Sequence, residues 1–161
     1  MVASDVIGKP LPPQTVVIER GPVSNFATAI KDENPIYRDP AAATEAGLGA
    51  IPAPPTYAFA MQHFGAFPEL QPEGAGTRNP IMEAIGALMN KGGLVLHGEQ
   101  EFIYHRPIQV GDVLTSRGEI KDLYEKQGSS GTMTFVVTET DWLDRDEQPV
   151  VTSIMTLLHR S

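Results

Sequence analysis

The sequence has no cysteine, no surplus of basic residues and no long apolar run, and each absence excludes a class of protein. Without cysteine, neither a disulfide scaffold nor a thiol nucleophile is available. Twelve basic against twenty acidic residues give a net charge of −8, which is a poor match for nucleic acid. No apolar run approaches ~20 residues, and the first ten residues have neither a basic flank nor an apolar core. We therefore expect no membrane span, no signal peptide and a cytoplasmic location.

Glycine and proline, by contrast, are abundant, with 15 and 14 residues in a chain of 161. Many of them fall between positions 65 and 93, where only 80–90 has a helical pattern. A chain of this length forms one domain with a real core. The sequence predicts a single domain, 1–161, with an irregular insertion at about 65–93. Insertions of this kind in compact domains act as lids or binding loops.

An apolar segment at 54–64 organises the rest of the prediction. Tyr57, Ala60, Met61 and Phe64 recur at helical spacing, and the prolines before them suit the start of a helix. Phe59 lies off this stripe, so a second face of the helix is also apolar. A helix with two apolar faces is expected to be wrapped by other elements.

The elements around this helix change in type along the chain. A short β segment is predicted at 14–19, followed by helices at 22–31 and 40–46. From position 94 onward, four β segments are predicted at 94–106, 113–125, 132–142 and 148–159, separated by turn residues. This order predicts an α+β fold in which a curved antiparallel sheet wraps around the central helix.

Two local patterns resemble those of a known family. Residues 31–39 read K-D-E-N-P-I-Y-R-D, which is similar to a loop of the form D-x-N-P-[ILV]-H-x-D. Residues 104–112 read Y-H-R-P-I-Q-V-G-D, which is similar to a strand and turn of the form F-x-x-P-V-x-x-G-D. In this order, with these flanking elements, the chain resembles the MaoC-like dehydratase/hydratase family. The closest type is its N-terminal, FAS1-like dehydratase domain. The resemblance implies the hotdog fold.

The resemblance also implies an activity. The family hydrates trans-2-enoyl thioesters or dehydrates 3-hydroxyacyl thioesters, carried on CoA or acyl carrier protein, without a metal or redox cofactor. An Asp and a His on the loop activate the water, and a backbone N–H at the central helix polarises the thioester carbonyl. Carried onto this chain, the catalytic candidates are Asp32, Asn34 and Tyr37. The substrate-binding candidates are Pro55, Thr56, Tyr57 and His97.

Two departures from the family pattern fall on the two halves of this site. Tyr37 stands where the loop His is expected, and a phenol with a pKa near ~10 is a weak base at neutral pH. Pro54 and Pro55 stand at the helix entry, where proline removes the N–H groups that would stabilise an oxyanion. The family includes pairs in which one hotdog carries the Asp-His site and the other forms part of the acyl channel. We therefore predict an acyl-binding subunit that pairs with a catalytic hotdog subunit.

Three alternatives stay open. The chain could be a self-sufficient homodimeric hydratase that uses Asp32 with His97 or His105. It could instead be an acyl-CoA-binding protein without chemistry. A hotdog thioesterase is weaker, because no acidic residue lies at 54–64 and Glu83 lies in the insertion.

The remaining charged and imidazole groups have weaker interpretations. His97, Glu99 and Glu101 alternate along a β segment and would share one face, which favours a solvated or partner-facing stripe over a metal site. His63 and His105 are interpreted as structural. No metal is expected. The cations that could meet a CoA phosphate are Arg38, Arg78, Lys91 and Arg106.

Overall fold

The computed structural model of the chain describes residues 4–90, 92–128 and 131–160. The elements of that part of the chain follow in order: β1 (Thr15–Val17), α1 (Arg20–Ala29), α2 (Pro40–Glu45), α3 (Tyr57–Phe64), α4 (Pro80–Met89), β2 (Leu94–Tyr104), β3 (Val113–Gly128), β4 (Gly131–Leu143) and β5 (Pro149–Arg160). The four predicted β segments after position 94 and the helix at 80–90 are therefore confirmed to within a few residues.

The five strands form one antiparallel sheet in the order β1-β3-β4-β5-β2. Register shifts interrupt β2 between His97 and Glu99 and β3 between Ile120 and Asp122. Such bulges bend a strand and increase its twist. The sheet curls into a half-barrel with the helices, and the α+β prediction is confirmed.

Helix α3 packs against one end of this sheet. Tyr57, Ala58 and Met61 are buried in a cluster with side chains from three strands, namely Leu114, Trp142, Val150 and Val151. Proline has no N–H that would need a partner in the first turn of a helix, so Pro54 and Pro55 are compatible with the start of α3 at Tyr57. The predicted core helix is therefore present.

The burial predicted for the two phenylalanines of α3 is wrong within this chain. Phe64 belongs to the predicted core stripe but is 51% exposed, and Phe59 on the second apolar face is 42% exposed. The apolar pattern of a helix shows which faces avoid water in the final assembly, and it does not show which molecule covers them.

The insertion supplies α4, which covers the other end of the same sheet face. Asn79 caps the helix by accepting a hydrogen bond from the N–H of Ile81, and Pro80 occupies the first turn. Ile81 and Leu88 pack against Ile120 and Val136 of the sheet. The insertion therefore contributes a helix to the core and is not only a loop.

The two edges of the sheet differ. At the β1 edge, the N-terminal arm continues along β3: the N–H of Gly8 donates to Ile120 and the N–H of Leu11 donates to Gly118. At the other edge, β2 pairs with β5 and with no further strand of the described chain. Leu94, Leu96 and Ile103 of this strand are exposed. β2 is therefore an open edge with an apolar surface.

The prediction that His97, Glu99 and Glu101 share one face is wrong. His97 is paired with Leu157, whereas Glu99 is paired with the adjacent residue Thr156. The bulge at Gly98 adds one residue, so the side chains after it change faces relative to His97. The imidazole packs beside Phe59, with ring centroids 5.2 Å apart, and the two carboxylates lie on the opposite, outer face.

Candidate functional site

The loop that carries Asp32 and Asn34 is held by its own side chains. Asp32 accepts a hydrogen bond from the N–H of Asn34 at 3.0 Å, and Asn34 accepts one from the N–H of Ile36 at 3.2 Å. The second bond caps a short 3₁₀ helix, Pro35–Tyr37. Asp32 is half-buried and Asn34 is exposed. These hydrogen bonds are typical of turns, and the bond from Asn34 uses only one of the two oxygens of the Asp32 carboxylate.

Tyr37 is the one buried side chain of this loop, at 9% exposure. Burial raises the pKa of its phenol above the usual value, and the nearby charge of Asp32 raises it further. The phenol therefore stays protonated at neutral pH and can donate a hydrogen bond, but it cannot act as the base that an imidazole would provide.

The entry to α3 is closed by hydrogen bonds rather than open to a ligand. Tyr104 donates its hydroxyl proton to the carbonyl of Pro55, and the N–H of Tyr57 donates to the carbonyl of Pro54 at 2.9 Å. Burial raises the pKa of Tyr104 to about 12, so this donor keeps its proton. Neither proline has an N–H to offer. Pro54, Pro55 and Tyr57 thus offer no free N–H to a developing oxyanion.

A loop cavity of about 480 Å³ lies between the Tyr37 loop, the α3 entry and the turn after β2. Its lining is mostly apolar and includes Tyr37, Pro55 and His105. The hydroxyl of Thr152 donates to Asp141 at 2.5 Å and so accepts from the Nε2–H of His105 at 3.0 Å. This chain of bonds orients the imidazole and uses its Nε2. His105 is thereby a satisfied histidine, as the sequence indicated.

A second, inner cavity of about 240 Å³ lies between α3, the start of α4 and the face of the sheet that they cover. Ala58, Phe59 and Met155 contribute apolar surface. Its polar side chains are all uncharged: Gln14, Gln62, Asn79, Gln100, Ser116, Thr138, Thr140 and Ser153. Gln100 also donates to Ser153 at 2.8 Å across two strands. The sequence analysis missed these residues, although alternating threonines in β4 are visible in the sequence.

The predicted site residues fall into separate places. Asp32, Asn34 and Tyr37 lie together on one loop, and Tyr37 and Pro55 meet at the loop cavity. Thr56 is exposed just before α3. Tyr57 is fully buried between Phe26 and Phe64, its hydroxyl has no partner within the described residues, and burial raises its pKa to about 12. His97 lies beside Phe59 and is not among the residues that line the loop cavity.

Three of the four candidate cations for a CoA phosphate already have partners. Arg78 forms an exposed ion pair with Glu83, and Arg38 donates to Thr28 at 3.3 Å. Arg106 binds both oxygens of Asp112 and also reaches Asp144, and the hydrogen bond to Asp112 raises its pKa above the usual value. Lys91 lies outside the described residues.

Arg106 has a structural task that can be tested. Asp112 also accepts from the N–H of Gln109, so the ion pair closes the turn between β2 and β3. We expect Arg106→Gln to lower the free energy of unfolding by about 1–2 kcal/mol, less than a fully buried pair would because a third of the side chain is exposed. Arg78→Gln, which breaks a fully solvated pair, should change it by less than about 0.5 kcal/mol. Urea denaturation of both variants measures the difference, and equal effects would contradict this role.

The described residues contain neither a cluster of metal ligands nor a membrane-spanning helix. No group of three or more His, Asp or Glu side chains there is placed to hold a metal ion. No described helix has both the length and the apolar character needed to cross a bilayer.

Comparison with known proteins identifies the family and the fold of this chain. A family model described as FAS1-like, dehydratase domain region, matches residues 5–153. The chain belongs to the FAS1-like dehydratase domain family. A UPF0336 protein of Thermobifida fusca is 36% identical over 148 residues, which cover 92% of this chain and 86% of that protein. The resemblance drawn from the two sequence patterns is therefore confirmed.

The solved structures of similar fold are MaoC-like proteins, and the predicted hotdog fold is confirmed. The ChsH1-ChsH2 complex of Mycobacterium tuberculosis contains a chain with a TM-score of 0.77 and 26% identity, covering 94% of this chain and 89% of that one. The HadBC (3R-hydroxyacyl-ACP dehydratase) complex of the same organism gives 0.70 and 21%, covering 98% and 99%. Both neighbours are complexes of two different chains.

One more relative of this FAS1-like domain bears on its activity. A probable enoyl-CoA hydratase alpha subunit of Thermomonospora curvata is 28% identical over 141 residues. The match covers 84% of this chain but only 43% of that protein. The relatives and neighbours of this chain thus include proteins named as hydratases and MaoC-like dehydratases.

Proposed function

We propose that this chain is the acyl-binding subunit of a MaoC-like enoyl-thioester hydratase or 3-hydroxyacyl-thioester dehydratase, completed by a catalytic hotdog subunit. The observation that carries the proposal is that Tyr37, which the motif resemblance aligns with the loop His, is a buried phenol with a raised pKa. The proline entry to α3 supports it, because neither Pro54 nor Pro55 has an N–H to offer an oxyanion.

The chemistry requires groups that this loop does not provide. Hydration adds the oxygen of water to C3 of the enoyl thioester and a proton to C2, so a base must take a proton from water and an acid must return one. Asp32 can accept a proton, but the neighbouring Tyr37 cannot share acid and base duties near neutral pH. The partner's Asp-His loop would activate the water and its helix entry would polarise the thioester carbonyl.

The contribution of this chain is the space for the acyl group. The inner cavity is enclosed by α3, the start of α4 and the sheet, and its lining carries no charged side chain. An uncharged acyl segment can enter it without meeting a group that must be desolvated as an ion. No metal or redox cofactor has a part in this proposal, and an acyl-CoA or acyl carrier protein thioester is the proposed ligand. The cytoplasmic location stays a prediction from the sequence.

Pairing with a second hotdog is supported by the surface that this chain leaves open. β2 is an edge strand without a further neighbour in the described chain, Leu94, Leu96 and Ile103 are exposed on it, and the exposed Phe59 lies beside it. A long edge with apolar surface is a template for pairing with another chain. The two Mycobacterium tuberculosis complexes named above offer a precedent for pairing between different chains.

The proposal is tested by hydration of trans-2-enoyl-CoA, followed by loss of the absorbance of the conjugated thioester. We expect the purified chain alone to be slower than the mixture with a catalytic MaoC-like subunit by about 10²-fold or more, the range that general acid–base groups provide. Asp32→Asn in this chain should leave the rate of the mixture unchanged. Robust turnover by the isolated chain would refute the proposal.

Two other outcomes of this experiment point to the remaining candidates. Turnover by the isolated chain that Asp32→Asn abolishes would establish a homodimeric hydratase, and His105 would be its first candidate second group because it lines the same cavity as Tyr37. Thermal stabilisation by acyl-CoA without turnover in any mixture would establish an acyl-CoA-binding protein.

A further inference from the structure

The open edge of the sheet carries two carboxylates and no cation. Glu99 and Glu101 are exposed on the outer face of β2, and neither forms an ion pair with any residue of 4–90, 92–128 or 131–160. The eleven residues of β2, L-V-L-H-G-E-Q-E-F-I-Y, include no lysine or arginine. The edge is therefore acidic as well as apolar.

This charge has a consequence for pairing between two identical chains. Around a twofold axis, β2 would run antiparallel to its own copy, and side chains that meet would lie on the same face. Any such register centred between Gly98 and Phe102 sets a Glu99 or Glu101 opposite or diagonal to a glutamate of the copy. Opposite Cβ atoms in such a ladder are about 4.5–5.5 Å apart, and like charges placed there destabilise the pair.

The same carboxylates would favour a partner of opposite charge. The flanking Leu96 and Ile103, each 45% exposed, give the strand an apolar surface that a permanently solvated edge would not need. An edge that is apolar at its ends and acidic in its middle is complementary to an apolar strand with lysine or arginine in its middle.

We propose that Glu99 and Glu101 select the partner: they reject a second copy of this chain and accept a different hotdog chain with basic residues on its edge strand. This proposal rests on the proposed function for the nature of the partner. It adds the chemistry by which that partner is recognised and by which homodimers are excluded. Pairing of this kind is controlled by repulsion as much as by attraction.

A charge-reversed copy of this chain serves as the test partner. We expect the natural chain and the E99K/E101K variant to be monomeric or weakly dimeric when separate, and to form a 1:1 complex when mixed. Because each glutamate can then meet a lysine, the mixed dimer should be about tenfold tighter than either homodimer. Native mass spectrometry and sedimentation equilibrium measure this. Raising the salt from roughly 0.05 to roughly 0.5 M should weaken the mixed dimer.

Two further variants distinguish the effect of the β2 carboxylates from the effect of net charge. E99Q/E101Q removes the repulsion, so this variant should self-associate about tenfold more tightly than the natural chain. E69K/E73K makes the same net charge change beside β1, the opposite edge, where Gln71 holds that loop to Thr15. It should not form a mixed dimer with the natural chain.

The proposal is overturned if the natural chain is a stable homodimer that E99Q/E101Q leaves unchanged. It is also overturned if the charge-reversed mixture associates no better than its components. Neither result depends on turnover, so an inactive chain that forms homodimers would refute this proposal and leave the proposed function standing. Turnover by the isolated chain would refute the proposed function and leave this proposal standing.

Discussion

Replacing Ser153 with phenylalanine should lower kcat/KM of the complex for a long enoyl-CoA by about 10²-fold, while leaving the four-carbon substrate within a factor of about three. The new ring would occupy much of the inner cavity, into which Ser153 faces. Each methylene that is no longer removed from water costs about 0.8 kcal/mol, so excluding three or four of them costs about 3 kcal/mol, or roughly 10² in kcat/KM. A short substrate that does not reach the cavity loses none of this binding free energy.

The matched control for this variant is Ile154→Phe. Ile154 follows Ser153 along β5, and its side chain lies on the opposite, outer face of the sheet. This variant should retain the ratio between long and short substrates. Rates for trans-2-decenoyl-CoA and crotonyl-CoA, with thermal melts of each variant, complete the measurement. An equal loss for both chain lengths would show that the substitution damages the fold, and no loss would place the acyl group elsewhere.

Replacing Gly65 with alanine should lower the free energy of unfolding by about 3 kcal/mol, at the upper end of the usual cost of overpacking. Gly65 ends α3 and accepts a hydrogen bond from the N–H of Val17 at 2.9 Å. An added Cβ would overlap the carbonyl oxygen of Val17, which is backbone and cannot swing aside. Strand β1 would have to withdraw from α3, and the melting temperature should fall by about 10 °C in a chain of this size.

Gly86 provides the comparison. It lies on the exposed face of α4, and an added Cβ there meets no atom within 4 Å. Gly86→Ala should therefore raise the free energy of unfolding by roughly 0.5–1 kcal/mol, the difference in helix propensity. Denaturant unfolding of both variants, analysed with a common slope, gives the two values. A neutral Gly65→Ala would mean that α3 and β1 separate without cost.

The elements of this fold could be predicted because their sequence patterns are local. Local patterns do not show which surface, of this chain or of another, covers an apolar face. Phe59 and Phe64 fit an apolar helix, yet both are exposed in this chain. In β4 the alternation of threonine with Met133, Phe135 and Val137 is clear, but period alone does not say which set faces the helices. Thr134 and Thr138 are the buried set, at 3% exposure each.

The candidate site was predictable to the extent that it is a contiguous motif. The loop with Asp32 and Tyr37 is a local structure, because its turns are made by its own side chains. The grouping of His97 with the glutamates failed for a physical reason: one extra residue at Gly98 reverses the faces. A glycine inside a strand pattern is the signal that could have shown it. The role of Arg106 could not be predicted from spacing, since Asp144 lies on a different turn.

Strand β5 lies between β4 and β2, although it is the last strand in chain order. During synthesis on the ribosome, β2 therefore has no neighbour until β5 emerges, and the cluster around α3 lacks Val150 and Val151 until the same stage. Pairings of this kind, distant in sequence, form slowly. A nascent chain of this protein would expose the edge at which the proposed partner would pair, at the stage when strand edges are most prone to aggregate. Production together with that partner should therefore raise the yield of folded chain as well as the activity.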